Sequence, residues 1–171
     1  MKNFILIMMM VWPFVAFSQS GANSPDKCEV LNNVIELMSD KNYDELKTSG
    51  TEYEMQTDLF AYDCPFILDE FDDVWFFKNI IDGVPIYYVF YIISEYDLVN
   101  DIENDKTLPE FSDFEKCFEG WSIEQEIDEW ETAINMGQTT TYTITKDNIF
   151  IIYEDNVDLI NRIVSIGIYA D

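Results

Sequence analysis

Apolar residues recur along this chain in two rhythms. Cys28, Leu31, Val34, Ile35 and Met38 fall three and four apart, the spacing of one helix face. Ser24 stands where a cap belongs, with Pro25 at the first helical position and Asp26 in the first turn, so a helix over 25–39 is predicted. Tyr43 to Lys47 adds a short helical turn before Ser49-Gly50. Tyr53, Met55, Thr57 and Leu59 then alternate with Glu52, Glu54, Gln56 and Asp58. That period of two predicts a half-buried strand.

The strongest unit follows. VWFFKNII, Asp82-Gly83 and VPIYYVFYII read as a hairpin closed by a two-residue type I′ turn. In that register Ile81 faces Val84, Phe77 faces Tyr88 and Trp75 faces Phe90. Both faces are largely apolar, so at least part of the hairpin is expected to be covered on both sides. Pro85 is tolerable there only if its outer edge carries no neighbouring strand.

Three middle helices are expected next. Ser94 caps one carrying Leu98, Val99 and Ile102. Thr107-Leu108-Pro109 opens another, with Phe111, Phe114 and Phe118 as its stripe and Gly120 as its stop. Ser122-Ile123-Glu124-Gln125 resembles a capping box, and Ile123, Ile127, Trp130 and Ile134 follow at helical spacing up to Gly137. The end returns to strands: Thr139 to Lys146, a turn at Asp147-Asn148, Ile149 to Tyr153, and Arg162 to Tyr169. Ile144 should face Ile151, and Tyr142 should face Tyr153. The predicted fold class is α+β. A mainly antiparallel sheet, made of the central hairpin and a C-terminal three-strand meander, would pack against the N-terminal helix and two or three middle helices.

The segment LPEFSDFEKCFEGW resembles the Leu-Pro-plus-aromatic helix of a widespread immunity superfamily. The Gly-rich turn that follows it there is missing here, so no residue role is carried over.

The start of the chain is different in kind. Met1-Lys2 precedes the apolar run Phe4 to Phe17, which contains Pro13 and ends in Ala16-Phe17-Ser18. A membrane-spanning helix wants about 20 apolar residues, so this run is short for one. Small residues at the −3 and −1 positions mark a secretory signal peptide cut between Ser18 and Gln19. The expected organisation is a signal peptide at 1–18, a flexible leader at 19–24 and one acidic domain at 25–171. Localisation is then periplasmic or secreted.

Charge sharpens this picture. The chain has 171 residues, 34 acidic and 9 basic, and no histidine, for a net charge of −25. Removing residues 1–18, which include Lys2, leaves 153 residues with 8 basic and 34 acidic groups, or −26. Such a surface excludes nucleic acid as a main ligand, and an anionic membrane surface as well. The missing histidine excludes Ser-His-Asp and Cys-His catalysis and every His-ligated metal site.

Candidate chemistry is sparse. Asp69, Glu70, Asp72 and Asp73 form the densest acidic group and are the weak candidates for calcium, which prefers oxygen ligands. Their spacing is not that of an EF-hand loop, and a solvated loop is the simpler reading. Asp101, Glu103, Asp105, Asp155 and Asp158 read the same way. Glu119, between Phe118 and Gly120-Trp121, is the first carboxylate to inspect for glycosidase-type chemistry. Trp75, Trp121 and Trp130 fit core positions. No cofactor motif is present and no enzymatic activity is expected. Cys28, Cys64 and Cys117 remain. In an oxidising compartment two can pair, and Cys28 with Cys117 is the preferred pair.

A magnitude of about 2–8 is enough charge to keep a small domain soluble. The excess points to a cationic partner met through electrostatic complementarity, with adaptation of a whole proteome to salt as the competing explanation. The functional expectation is a protein-binding module, most sharply an immunity-type or hydrolase-inhibitor protein that occludes a basic toxin or cell-wall hydrolase. A small-molecule or calcium-binding module is the alternative, and a carboxylate-based hydrolase comes third.

Overall fold

A computed structural model describes residues 26–96, 108–131, 136–158 and 161–170. The expected signal peptide and leader lie outside the described residues, as do Asp101, Glu103 and Asp105. The helix α1 spans Lys27–Ser39. The strands are β1 (Glu52–Gln56), β2 (Leu59–Asp63), β3 (Asp73–Ile81), β4 (Val84–Tyr96), β5 (Ser122–Glu131), β6 (Met136–Lys146), β7 (Ile149–Asp158) and β8 (Asn161–Ala170). Short 3-10 turns occupy Phe111–Asp113 and Glu115–Phe118.

The eight strands among the described residues join one antiparallel sheet in the order β1-β2-β3-β4-β8-β7-β6-β5. β1 to β4 form one meander and β5 to β8 another. β8 joins them by pairing with β4 on one side and β7 on the other.

The α+β expectation with several packed helices is therefore overturned. Residues 122–131, expected as a helix, are β5 and pair with β6 along their whole length. The Phe111–Phe118 stripe is two 3-10 turns rather than the expected α-helix. Ser94 to Tyr96, expected as the start of a helix, is the end of β4, and residues 97–107 lie outside the described residues. The strand expected over 52–59 is cut in two. Asp58 takes a left-handed backbone (φ 67°) in the turn that separates β1 from β2.

α1 begins two residues later than expected. Asp26, not Ser24, is the cap, and its carboxylate accepts a hydrogen bond from the Cys28 backbone N–H at 3.2 Å. Leu31, Val34 and Met38 are fully buried, each contributing about 1.5–3 kcal/mol by leaving water. The β3–β4 hairpin has the anticipated register, with Ile81 opposite Val84, Phe77 opposite Tyr88 and Trp75 opposite Phe90. Its turn residues Asp82 and Gly83 both have positive φ, as a type I′ turn requires. Pro85 pairs inward with Ile80, while β8 contacts β4 only from Tyr88 onward, so the outer edge at Pro85 carries no paired strand. Ile144 faces Ile151 and Tyr142 faces Tyr153 as expected.

The core lies on one face of the sheet. Phe76, Val89, Tyr91, Ile93, Val164, Ile166, Ile168, Ile151, Tyr153 and Ile144 point to that face and cluster with α1, Leu46, Leu68, Phe114 and Phe118. Buried hydroxyls there are satisfied: Tyr91 donates to the Phe66 carbonyl at 3.0 Å, and Tyr153 to the Pro109 carbonyl at 2.8 Å. A Cys28–Cys117 disulfide ties α1 to the second 3-10 turn across 89 residues of sequence. That bridge fits an oxidising, extracytoplasmic setting. Cys64 is a buried free cysteine, and burial pushes its thiol up to about 11. Among the described residues no helix is long and apolar enough to cross a membrane.

Candidate functional site

Alternation along each strand sends every second side chain to the face opposite the core. Its middle is aromatic and aliphatic. Trp75 and Phe77 stand on β3, Tyr88, Phe90 and Ile92 on β4, Tyr169 on β8, and Phe150 and Ile152 on β7. All are partly exposed, and none belongs to the core cluster. Cover on both sides, expected for at least part of the hairpin, is not found among the described residues. α1 and the 3-10 turns all pack on the core face.

The aromatic rings on this second face are ordered. Phe77 stacks on Tyr88 at 4.9 Å, Tyr88 on Tyr169 at 5.3 Å, and Tyr169 on Phe150 at 4.8 Å. These four lie in one register row across β3, β4, β8 and β7. Tyr53 on β1 meets Trp75 edge-on at 5.8 Å. Ser165 and Gly167 are buried between the larger side chains. Thr139, Thr141, Thr143 and Thr145 of β6 continue the surface toward β5.

The cations of the strands lie on one face, while carboxylates lie on both, with Glu52, Glu54, Glu129, Glu131 and Asp155 on the core face. Lys78, Lys146 and Arg162 all point to the core face. Lys78 sits over the Phe60 ring and Lys146 over the Trp121 ring. Arg162 grips Asp155 with two hydrogen bonds, 2.9 Å from Nε and 2.6 Å from Nη2. The second face carries Asp73, Glu154, Glu124, Glu126 and Asp128, all exposed, and no described strand places a cation among them. An aromatic floor walled by carboxylates, with no cation from the described strands among them, is the result.

An open cleft of about 720 Å³ lies at the far end of β5 and β6, lined by Glu129, Trp130, Glu131, Gln138, Asp155 and Val157 among others. Trp130 reaches it by lying against Gly137, the residue it faces across the two strands.

The residues singled out from sequence are dispersed. Glu70 pairs with Lys27. Asp69 and Asp73 are exposed, and the Asp72 backbone N–H donates to the Ile92 carbonyl. Among the described residues no group of three or more acidic or cysteine side chains is placed to hold a metal ion. Glu119 is exposed beside Gly120. Trp121 packs against the core, Trp75 stands on the second face, and Trp130 lines the cleft. The β5 carboxylates were missed as a group because residues 122–131 read as a helix, which would have scattered them around its circumference. Comparison with family models, with curated proteins and with solved structures gave no match to this chain.

Proposed function

We propose that this protein binds a cationic protein partner through the second face of its sheet and has no chemistry of its own. The sharpest version is an extracytoplasmic immunity-type or hydrolase-inhibitor protein that occludes a basic toxin or cell-wall hydrolase. The observation that carries the reading is that partly exposed aromatics share the second face with exposed carboxylates and no described strand cation, while Lys78, Lys146 and Arg162 sit on the other face. Contiguous apolar patches of this kind mark interaction surfaces on soluble proteins. Aromatic side chains are the usual anchors of such contacts, and acidic surroundings steer a basic partner into place.

The test is affinity capture from native extract at low and high salt, using the wild type and a Phe77→Ser/Phe90→Ser variant. The wild type should retain a basic protein at low salt and release it at high salt, and the variant should lose it. Failure to recover a basic protein at low salt would overturn the reading. A second reading, a small-molecule-binding module, rests on the cleft beside Trp130.

A further inference from the structure

The two edges of the sheet differ. β1 is short, and its register with β2 slips between Glu54 and Gln56. Short, irregular edges resist pairing with other chains. β5 has neither protection. It spans Ser122–Glu131 and pairs with β6 residue for residue from Ser122↔Thr145 to Glu131↔Met136, with no shift. It is the last strand of the sheet, and among the described residues no strand pairs with its outer backbone edge. Ile123 is 38% exposed and Ile127 53% exposed, both pointing to the core face. Only charge guards this edge.

That guard is selective. Antiparallel pairing of β5 with β5 of a second copy sets same-face residues opposite one another. The row Glu124, Glu126 and Asp128 would then meet the same row, and like charges directly opposite are destabilising. A basic strand meets the reverse situation. Lysines or arginines on the second face would lie beside Glu124, Glu126 and Asp128, and apolar residues on the core face would cover Ile123 and Ile127. None of these three carboxylates has a cationic partner among the described residues.

We propose that β5 accepts an extended segment of the partner, alternating basic and apolar, as an added strand of the sheet. Main-chain hydrogen bonds to the free edge supply affinity in such additions, and alternate side chains supply specificity. This rests on the cationic-partner reading and names how part of that partner is held.

Three short synthetic peptides test it on the full chain at low salt: alternating Lys and Val, the same composition interrupted by two central prolines, and alternating Glu and Val. The Lys/Val peptide should bind at least about tenfold tighter than the proline form and slow hydrogen exchange of β5 amides. The Glu/Val peptide should not bind. A Glu124→Lys/Glu126→Lys/Asp128→Lys variant should exchange these preferences. Equal binding of both basic peptides, with no slowing at β5, overturns strand addition and leaves the cationic-partner reading standing. If neither basic peptide binds, both fall.

Discussion

The ring of Tyr169 lies over the backbone of Gly167 on the second face of the sheet. A Cβ added at Gly167 would come within 2.7 Å of Tyr169 Cε2 and 2.8 Å of its hydroxyl oxygen. Glycine inside a strand otherwise weakens it, and here it marks a close approach. Gly167→Ala should therefore cost about 1–3 kcal/mol by overpacking, read as a lowered denaturant midpoint. In a Tyr169→Ala background the same substitution should cost much less. An unchanged cost there would mean that something other than the ring occupies the space.

Alkaline pH should unfold the protein cooperatively. Burial raises the hydroxyls of Tyr43, Tyr88, Tyr91, Tyr153 and Tyr169 above the usual tyrosine value of 10.0. Tyr62 is pushed up to about 12, by burial first and then by its hydrogen bond to Glu52. The native state thus keeps protons that the unfolded chain loses near pH 10. The stabilising contribution is complete below about pH 10 and falls as pH rises through the native values. Melting temperature should drop steeply between about pH 10 and 12, with tyrosinate absorbance rising in the same transition. Ionisation of these six hydroxyls well before unfolding would contradict the burial of their rings.

Salt should stabilise. With 34 acidic against 9 basic residues, self-repulsion opposes the compact state. Raising ionic strength from about 0.01 to 0.15 M shortens the screening length from about 30 to 8 Å. The melting temperature should rise accordingly. A fall would show that ion pairs outweigh repulsion, with Asp155–Arg162 the first to examine.

Thiol chemistry should separate the three cysteines. Denatured, unreduced protein should show a single titratable thiol, Cys64. In the native state at neutral pH that thiol should resist alkylation, because it is buried and its ionisation is pushed up to about 11. Reducing the Cys28–Cys117 bridge should cost about 2–4 kcal/mol of stability, since it frees a long loop in the unfolded chain. Three reactive thiols before reduction would refute the bridge.

The parts legible in the sequence are those whose signal is local. Asp82-Gly83 between two β-branched and aromatic runs specifies its own turn and register, and the structure follows it pair by pair. The stripe Leu31, Val34 and Met38 likewise specifies the buried face of α1. β5 was illegible for a physical reason. Ile123, Ile127 and Trp130 sit at helical spacing, and glutamate is a good helix former. As an edge strand exposed on both faces, it has little need to alternate, so the decisive information lies in its ten partners on β6. The covered and open faces of the hairpin were equally indistinguishable, because Trp75, Phe77 and Phe90 are as apolar as Phe76, Val89 and Tyr91. Which row meets α1 is decided by the rest of the molecule.

β8 is the latest strand in chain order, yet it sits in the middle of the sheet, between β4 and β7. As the chain is synthesised from its N-terminus, residues 52–96 and 122–158 can form only two separate antiparallel pieces, each offering β8 a vacant rim. Tyr91, Ile93, Ile151 and Tyr153 cannot share one core until Asn161–Ala170 has emerged. A nascent chain halted before that point stays in two halves, so assembly of the common core waits for the last strand.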